Sequence, residues 1–153
     1  MEFRKTEEAD IQNIICLLND CKPFVLAHHN YVYWILQRYY QSTTFVCTQT
    51  DDIIGFICGL PSVDQSTVFI WQICVHPDFR RKGIALKLIK LLFDTSVEFG
   101  FNNIQLSITT ENSISKNIFK KFSNMNSLNM DLVGQSSISG KIEDIYIISE
   151  IEI

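Results

Sequence analysis

No two cysteines in this chain are spaced as Cys-x-x-Cys, and the three histidines stand at no zinc-ligand spacing, so no metal site is expected. The five cysteines, at positions 16, 21, 47, 58 and 74, are odd in number, which points to reduced thiols and a cytoplasmic setting. No apolar run approaches the roughly 18 residues that would cross a bilayer. Met1 to Asp10 is charged and holds no apolar h-region, so no secretory leader is expected. Repeats, linkers and low-complexity tracts are absent. The six glycines include neither the three spaced glycines of a dinucleotide fingerprint nor the Gly-Lys-Ser/Thr of a P-loop. Nothing is arranged as a catalytic triad. Positive charge is not in excess either: the net charge is −4, which argues against general binding to nucleic acid or to a membrane surface.

What is present is the material of a globular core. Of 153 residues, 46% are hydrophobic, and eleven are Phe. A chain of this length, read as one domain over residues 1–153, buries about two-thirds of its unfolded surface. Met1 to Arg4 reads as a short strand. Thr6 is a plausible N-cap, and Ile11, Ile14, Ile15 and Leu18 then follow at helical spacing to about Asp20. Ala27 to Tyr40 is aromatic-rich and reads as a second helix bordering a cleft. Thr43 to Thr48, a turn at Asp51-Asp52, and Ile53 to Leu60 make a hairpin.

Thr67 to Val75 reads as a central strand whose continuous apolar character suits burial on both faces. Gly83 to Phe99 is an amphipathic helix closed by Gly100. A strand at Asn103 to Ile108 and a helix at Asn112 to Phe122 follow. Strands at Leu128 to Val133 and Ile142 to Ile151 are joined by a Ser/Gly-rich loop at Gly134 to Gly140. The order β-α-α-β-β-β-α-β-α-β-β predicts an α/β domain with a mixed central sheet covered by helices.

One stretch carries chemistry. Arg80-Arg81-Lys82-Gly83-Ile84-Ala85 lies between the central strand and the helix after it. A helix N-terminus has amides without intrahelical partners and a partial positive charge, and it binds phosphate readily. Glycine there lets a ligand approach the backbone. Three cations stand at the same place, against an acidic background. The same residues would also make a plain solvated turn. Arg80-x-x-Gly83-x-Ala85, led in by Val75-His76-Pro77-Asp78-Phe79, resembles the Q/R-x-x-G-x-G/A pattern of the GCN5-related N-acetyltransferases (GNAT).

The likeness is sharper to the L-2,4-diaminobutyrate acetyltransferases of ectoine synthesis. Val68-Phe69-Ile70-Trp71-Gln72-Ile73 resembles their F-V-W-Q-V run, and Gly55-Phe56-Ile57-Cys58-Gly59 their G-F-x-x-G strand. Tyr31-Val32-Tyr33 resembles their Y-x-Y helix. Asn112 to Phe119 resembles a helix that also carries Phe where other members carry Tyr.

That resemblance implies the GNAT fold, acetyl-CoA as cofactor and a small-molecule amine as partner. Acetyl-CoA would lie along Ile73 and Val75, with its pyrophosphate on the turn Arg80, Arg81, Lys82, Gly83, Ile84, Ala85 and Leu86. Asn112 and Phe119 would border the thioester. Phe119 has no proton to give, so a leaving thiolate would need another acid or none. Tyr31, Tyr33 and His76 are the catalytic candidates. His-Pro after such a strand is also a common turn, and tyrosines are often packing residues. Tyr31, Tyr33, Trp71, Glu143 and Asp144 would hold the acceptor. Where the family is expected to place an Asp, this chain has Leu26, and His28 and His29 stand where Asn and Ser are usual.

Diaminobutyrate is thus one acceptor. Others are a polyamine, an aminoglycoside-like amine or a protein N-terminus, and a non-catalytic acyl-CoA-binding module is a third reading. The aromatics of residues 31–40 suit a homodimer face as well as a cleft wall.

Overall fold

Strand β1 (Glu2–Lys5) opens the computed structural model, which describes residues 1–23, 25–138 and 140–151. A 3-10 turn at Glu8–Asp10 leads into helices α1 (Ile11–Asp20) and α2 (Asn30–Tyr39). Strands β2 (Thr44–Gln49), β3 (Asp52–Pro61) and β4 (Thr67–Val75) follow, then α3 (Ile84–Glu98), β5 (Asn103–Thr109), α4 (Ser113–Met125), β6 (Leu128–Ile138) and β7 (Lys141–Glu150). The strands form one sheet in the order β1-β2-β3-β4-β5-β7-β6. Every pairing is antiparallel except the central one, β4 with β5. This is the α/β order read from the sequence.

Two cores cover the two faces. Ile84, Leu88, Ile89 and Leu92 of α3 and Phe119 and Phe122 of α4 pack on one face, and Ile14, Leu17 and Leu18 of α1 with Tyr33 and Leu36 of α2 on the other. Gly55 and Gly59 let α3 lie close to β3. A Cβ at Gly59 would stand 2.7 Å from Val68 Cγ1 and 2.9 Å from Leu92 Cδ1.

Strand β4 departs from the expectation of burial on both faces. Its residues alternate between buried and half-buried. The apolar run is continuous because the strand changes face midway. Cys58 of β3 pairs with Gln72 and Gly59 with Ile70, so Trp71 is an extra, bulged residue. Before the bulge, Val68 and Ile70 point to the α3 core; after it, Cys74 points to the α1–α2 core. Both sequence parities therefore need apolar side chains.

Three further differences are local. Thr6 does not cap the first helix: it is buried, and its N–H donates to Thr44 O at 3.3 Å. The chain enters through Glu7, whose N–H donates to Asp10 Oδ2 at 2.8 Å. Arg4 forks onto the same carboxylate at 2.7 and 2.9 Å. Burial alone would raise the Asp10 carboxyl, but these bonds reverse that and hold it below its ordinary value. Helix α2 starts at Asn30 rather than Ala27, capped by His29 Nδ1, which accepts from Tyr31 N–H at 3.1 Å. The expected loop at 134–140 is mostly strand, since β6 runs on to Ile138 in register with β7; Ser139 lies outside the described residues.

Candidate functional site

The β4–β5 pairing is short. It joins Thr67, Val68 and Phe69 to Asn103, Ile104 and Gln105 and then ends. From Ile70 onward the two strands splay, so the rest of β4 presents an edge with no strand on its β5 side. The bulge at Trp71 sits where the splay begins. A cleft of about 330 Å³ occupies the gap.

The cleft reaches both faces of the sheet. On the α4 face it is lined by Leu106 and Ile108 of β5 and by Asn112, Ser115 and Phe119. Asn112 caps α4, its Oδ1 accepting from Ser115 N–H at 3.2 Å, so what it can offer a ligand is its Nδ2 amide. Phe119 is 3% exposed and closes the floor. On the α2 face the walls are His28, Trp71, Glu111, Lys141 and Glu143. The His28 and Trp71 rings stack at 5.0 Å.

Of the residues expected to hold a cofactor, Ile73 lines the cleft, and Val75 packs beside it against the α3 core. Past β4 the chain makes a 3-10 turn, Pro77–Phe79, and then the basic turn. Arg80 Nε donates to Val75 O at 3.2 Å, tying that turn to the end of the strand. Lys82 lies over the Phe79 ring at 5.2 Å. Arg81 and Gly83 both have left-handed backbone, with φ of +63° and +78°. The first helical bond of α3 runs from Lys87 N–H to Gly83 O at 3.1 Å, so the amides of Ile84, Ala85 and Leu86 precede the ladder. A Cβ at Gly83 would meet nothing within 4 Å. Open amides, left-handed residues and exposed cations together make an anion cradle.

The catalytic candidates fall elsewhere. His76 is at the far end of β4 and does not line the cleft. Its Nδ1 accepts from Asp78 N–H at 3.2 Å, and its ring meets Phe79 edge-on. Tyr31 is exposed on the outside of α2, stacked on Trp34 at 5.6 Å. Tyr33 is 1% exposed and sits in the core, off the cleft. Its hydroxyl accepts from His28 N–H at 3.0 Å and donates to Gln72 Oε1 at 3.1 Å. Burial raises this phenol, partly offset by the His28 and Gln72 bonds, so it stays protonated as a donor. Gln72 Nε2 in turn donates to Leu26 O at 2.9 Å. This chain of bonds straps the segment before α2 to β4 and sets His28 over Trp71. The Tyr33 hydroxyl is thus occupied in holding the His28 segment against Gln72 and does not line the cleft.

Trp71 and Glu143 are both at the cleft, as the sequence implied, but Asp144 is not. Adjacent strand residues face opposite ways. Glu143 pairs with Thr109, whereas Asp144 pairs with Ile108 on the α4 face and accepts from Gln135 Nε2 at 2.7 Å. The sequence reading missed Gln72, Glu111, Ser115 and Lys141. Gln72 had a signal, being a polar residue inside an apolar strand; the others come from loops and strand ends without a pattern.

The family model for the Acetyltransferase (GNAT) family matches residues 11–123. The L-2,4-diaminobutyric acid acetyltransferase of Vibrio parahaemolyticus serotype O3:K6 is 31% identical over 125 residues, which are 81% of this chain and 68% of that enzyme. The enzyme of the same name from Marinococcus halophilus is 31% identical over 93 residues, 60% of this chain and 54% of its own length. The chain thus spans about half to two-thirds of these relatives. Among solved structures, diaminobutyrate acetyltransferase EctA from Paenibacillus lautus, in complex with its substrate L-2,4-diaminobutyric acid and coenzyme A, has the same fold at a TM-score of 0.85. It is 24% identical, and the match covers 97% of this chain and 93% of that one. Ard1 from Thermoplasma volcanium follows at a TM-score of 0.82 and 16% identity, covering 99% and 98%.

Proposed function

The chain belongs to the acetyltransferase (GNAT) family, and from that premise we propose that it moves the acetyl group of acetyl-CoA onto one amine of a small diamine, L-2,4-diaminobutyrate first. The observation that carries this reading is the cleft through the sheet. It opens onto the free edge of β4, which leads away to the cradle of amides at the start of α3, and its other face carries an aromatic and acidic wall.

The residues present fit the cofactor. The free edge of β4 suits the amides of a pantetheine arm, which can add to it as a strand would. The turn from Arg81 to Leu86 suits the pyrophosphate. Bound there, acetyl-CoA supplies the thioester, and the chain supplies position and charge. An amide of the splayed β4 edge serves as donor to the carbonyl oxygen as charge develops on it. Phe119 excludes water and gives no proton. Thiols are acidic enough (about 8.5 for cysteine itself) that a thiolate can leave without a proton donor.

The acceptor must attack as a neutral amine. Glu143 holds one ammonium of a diamine in its charged form, and the Trp71 and His28 rings flank it. Aromatic faces add about 0.5–2 kcal/mol to ammonium binding, depending on desolvation. Leu26 is 59% exposed and offers no anion, so Glu143 and Glu111 take the role that an acid there would have. The released proton passes to water at the cleft mouth.

The described cysteines are all free, which supports action in the cytoplasm. Thiol release from acetyl-CoA, measured over a panel of diamines, monoamines and peptide N-termini, tests the function. Release that depends on diamines supports the proposal. Coenzyme A binding without amine-dependent release would replace it with a non-catalytic binding module.

A further inference from the structure

The charges of the acceptor wall go further than the family does. Three charged side chains line the cleft: Glu111, from the loop before α4, and Lys141 and Glu143, from the start of β7. None of the ion pairs among the described residues involves any of the three. Lys141 and Glu143 are two residues apart on one strand, so they share a face and stand about 7 Å apart along it. The wall therefore offers two carboxylates and one ammonium, a net charge of −1.

A plain diamine at neutral pH is a dication and would leave Lys141 facing like charge. A diamino acid carries two ammoniums and one carboxylate, a net charge of +1: its carboxylate answers Lys141, and one ammonium answers Glu143. We propose, resting on the acetyl-transfer reading above, that Lys141 is a specificity-determining residue: it binds the α-carboxylate and makes the enzyme select an amino acid over a carboxylate-free diamine.

Glu143, on the same strand face, holds the ammonium next to that carboxylate. The carboxylate and α-ammonium of an amino acid sit on adjoining atoms, so with one contact at each end they bridge the span between Lys141 and Glu143. The second amine is left for the thioester. Like charge meeting Lys141 supplies rejection as well as preference, and specificity draws on both.

The test compares L-2,4-diaminobutyrate with 1,3-diaminopropane, the same diamine without its carboxylate, at saturating acetyl-CoA. The wild type is expected to prefer the amino acid by about tenfold or more in kcat/KM, a difference of about 1.4 kcal/mol. In Lys141→Gln that ratio should fall close to one, through a higher KM for the amino acid and a lower KM for the diamine. Lys141→Glu should reverse it. A wild-type ratio near one, or a ratio that survives in Lys141→Gln, overturns the proposal. If neither amine is acetylated, the acceptor reading itself fails. Calorimetric binding of the two amines to the protein saturated with coenzyme A then still decides the role of Lys141: tighter amino-acid binding that Lys141→Gln abolishes supports it, and equal binding overturns it.

Discussion

On the α3 side of the splay, the proposed recognition rests on backbone: the free edge of β4, the left-handed Arg81 and Gly83, and the first amides of α3. On the α2 side it rests on side chains brought from four separate segments, with His28 before α2, Trp71 on the β4 bulge, Glu111 before α4, and Lys141 and Glu143 on β7. The two sides answer to different demands. Phosphate and pantetheine are the same in every acyl-CoA, and a backbone cradle can stay fixed while its side chains vary. An acceptor amine differs between enzymes, and only side chains can change with it. Substitutions on the first side should therefore act on cofactor binding whatever the acceptor, and substitutions on the second should act on the acceptor alone.

Gly83→Asp should give the largest effect. Aspartate tolerates left-handed backbone, and the protein leaves open space there, so the variant should fold. Its charge faces the pyrophosphate, and the affinity for coenzyme A should fall well over tenfold, more than about 1.4 kcal/mol. Calorimetry on a variant with wild-type circular dichroism reads this directly. Gly83→Ala, which adds bulk without charge, should lose only a few-fold. Equal losses in the two variants would mean that backbone conformation, not charge, governs the turn.

Glu143→Gln tests the other side. The KM for the amine should rise roughly tenfold, on the scale of a lost charge-assisted bond, while the KM for acetyl-CoA stays within about twofold. Asp144→Asn is the internal contrast, since Asp144 faces the opposite side of the sheet. Steady-state kinetics should leave both of its KM values where they were. An amine KM that responds to Asp144 instead would put the acceptor on the wrong face.

Tyr33→Phe separates positioning from acid catalysis. It removes the donor to the buried Gln72 Oε1 and the acceptor for His28 N–H, which should cost about 1–3 kcal/mol of stability. The amine KM should rise a few-fold as the His28–Trp71 wall loosens, without any change in the shape of the pH–rate profile. Loss of one limb of that profile would show that the phenol transfers a proton. Phe119→Tyr is the smallest expected change, with activity within a few-fold. A gain of about a hundredfold, roughly 2.7 kcal/mol, would mean that thiolate protonation had been limiting.

The same contrast explains what could be read from the sequence. The element order, the β4 boundaries and the basic turn were legible, because each is a contiguous run with its own periodicity or glycine. Acetyl-CoA as cofactor came through a resemblance carried by Arg80, Gly83 and Ala85. The acceptor wall was legible only in part. Trp71 and Glu143 were named, but Asp144 was taken with Glu143 because the one-residue alternation of β7 has no meaning until its pairing with β5 is known. Tyr33 was read as a site residue through the Y-x-Y resemblance, with a packing role weighed beside it; its burial and its bond to Gln72, across the fold, had no mark in the sequence. Glu111 and Lys141 sit at element ends whose approach is set only by the closed sheet. Thr6 lost its expected cap because Arg4, on the neighbouring strand, holds Asp10 where the chain enters the helix.

Crystals grown with coenzyme A and L-2,4-diaminobutyrate test the two-sided account most directly. The account predicts density for the pyrophosphate on the Arg81–Leu86 turn, the pantetheine arm along the β4 edge with its sulfur at the splay, and the amine on the opposite face between His28–Trp71 and Glu143. Both ligands entering from the same face, or an amine bound away from Trp71 and Glu143, would contradict it.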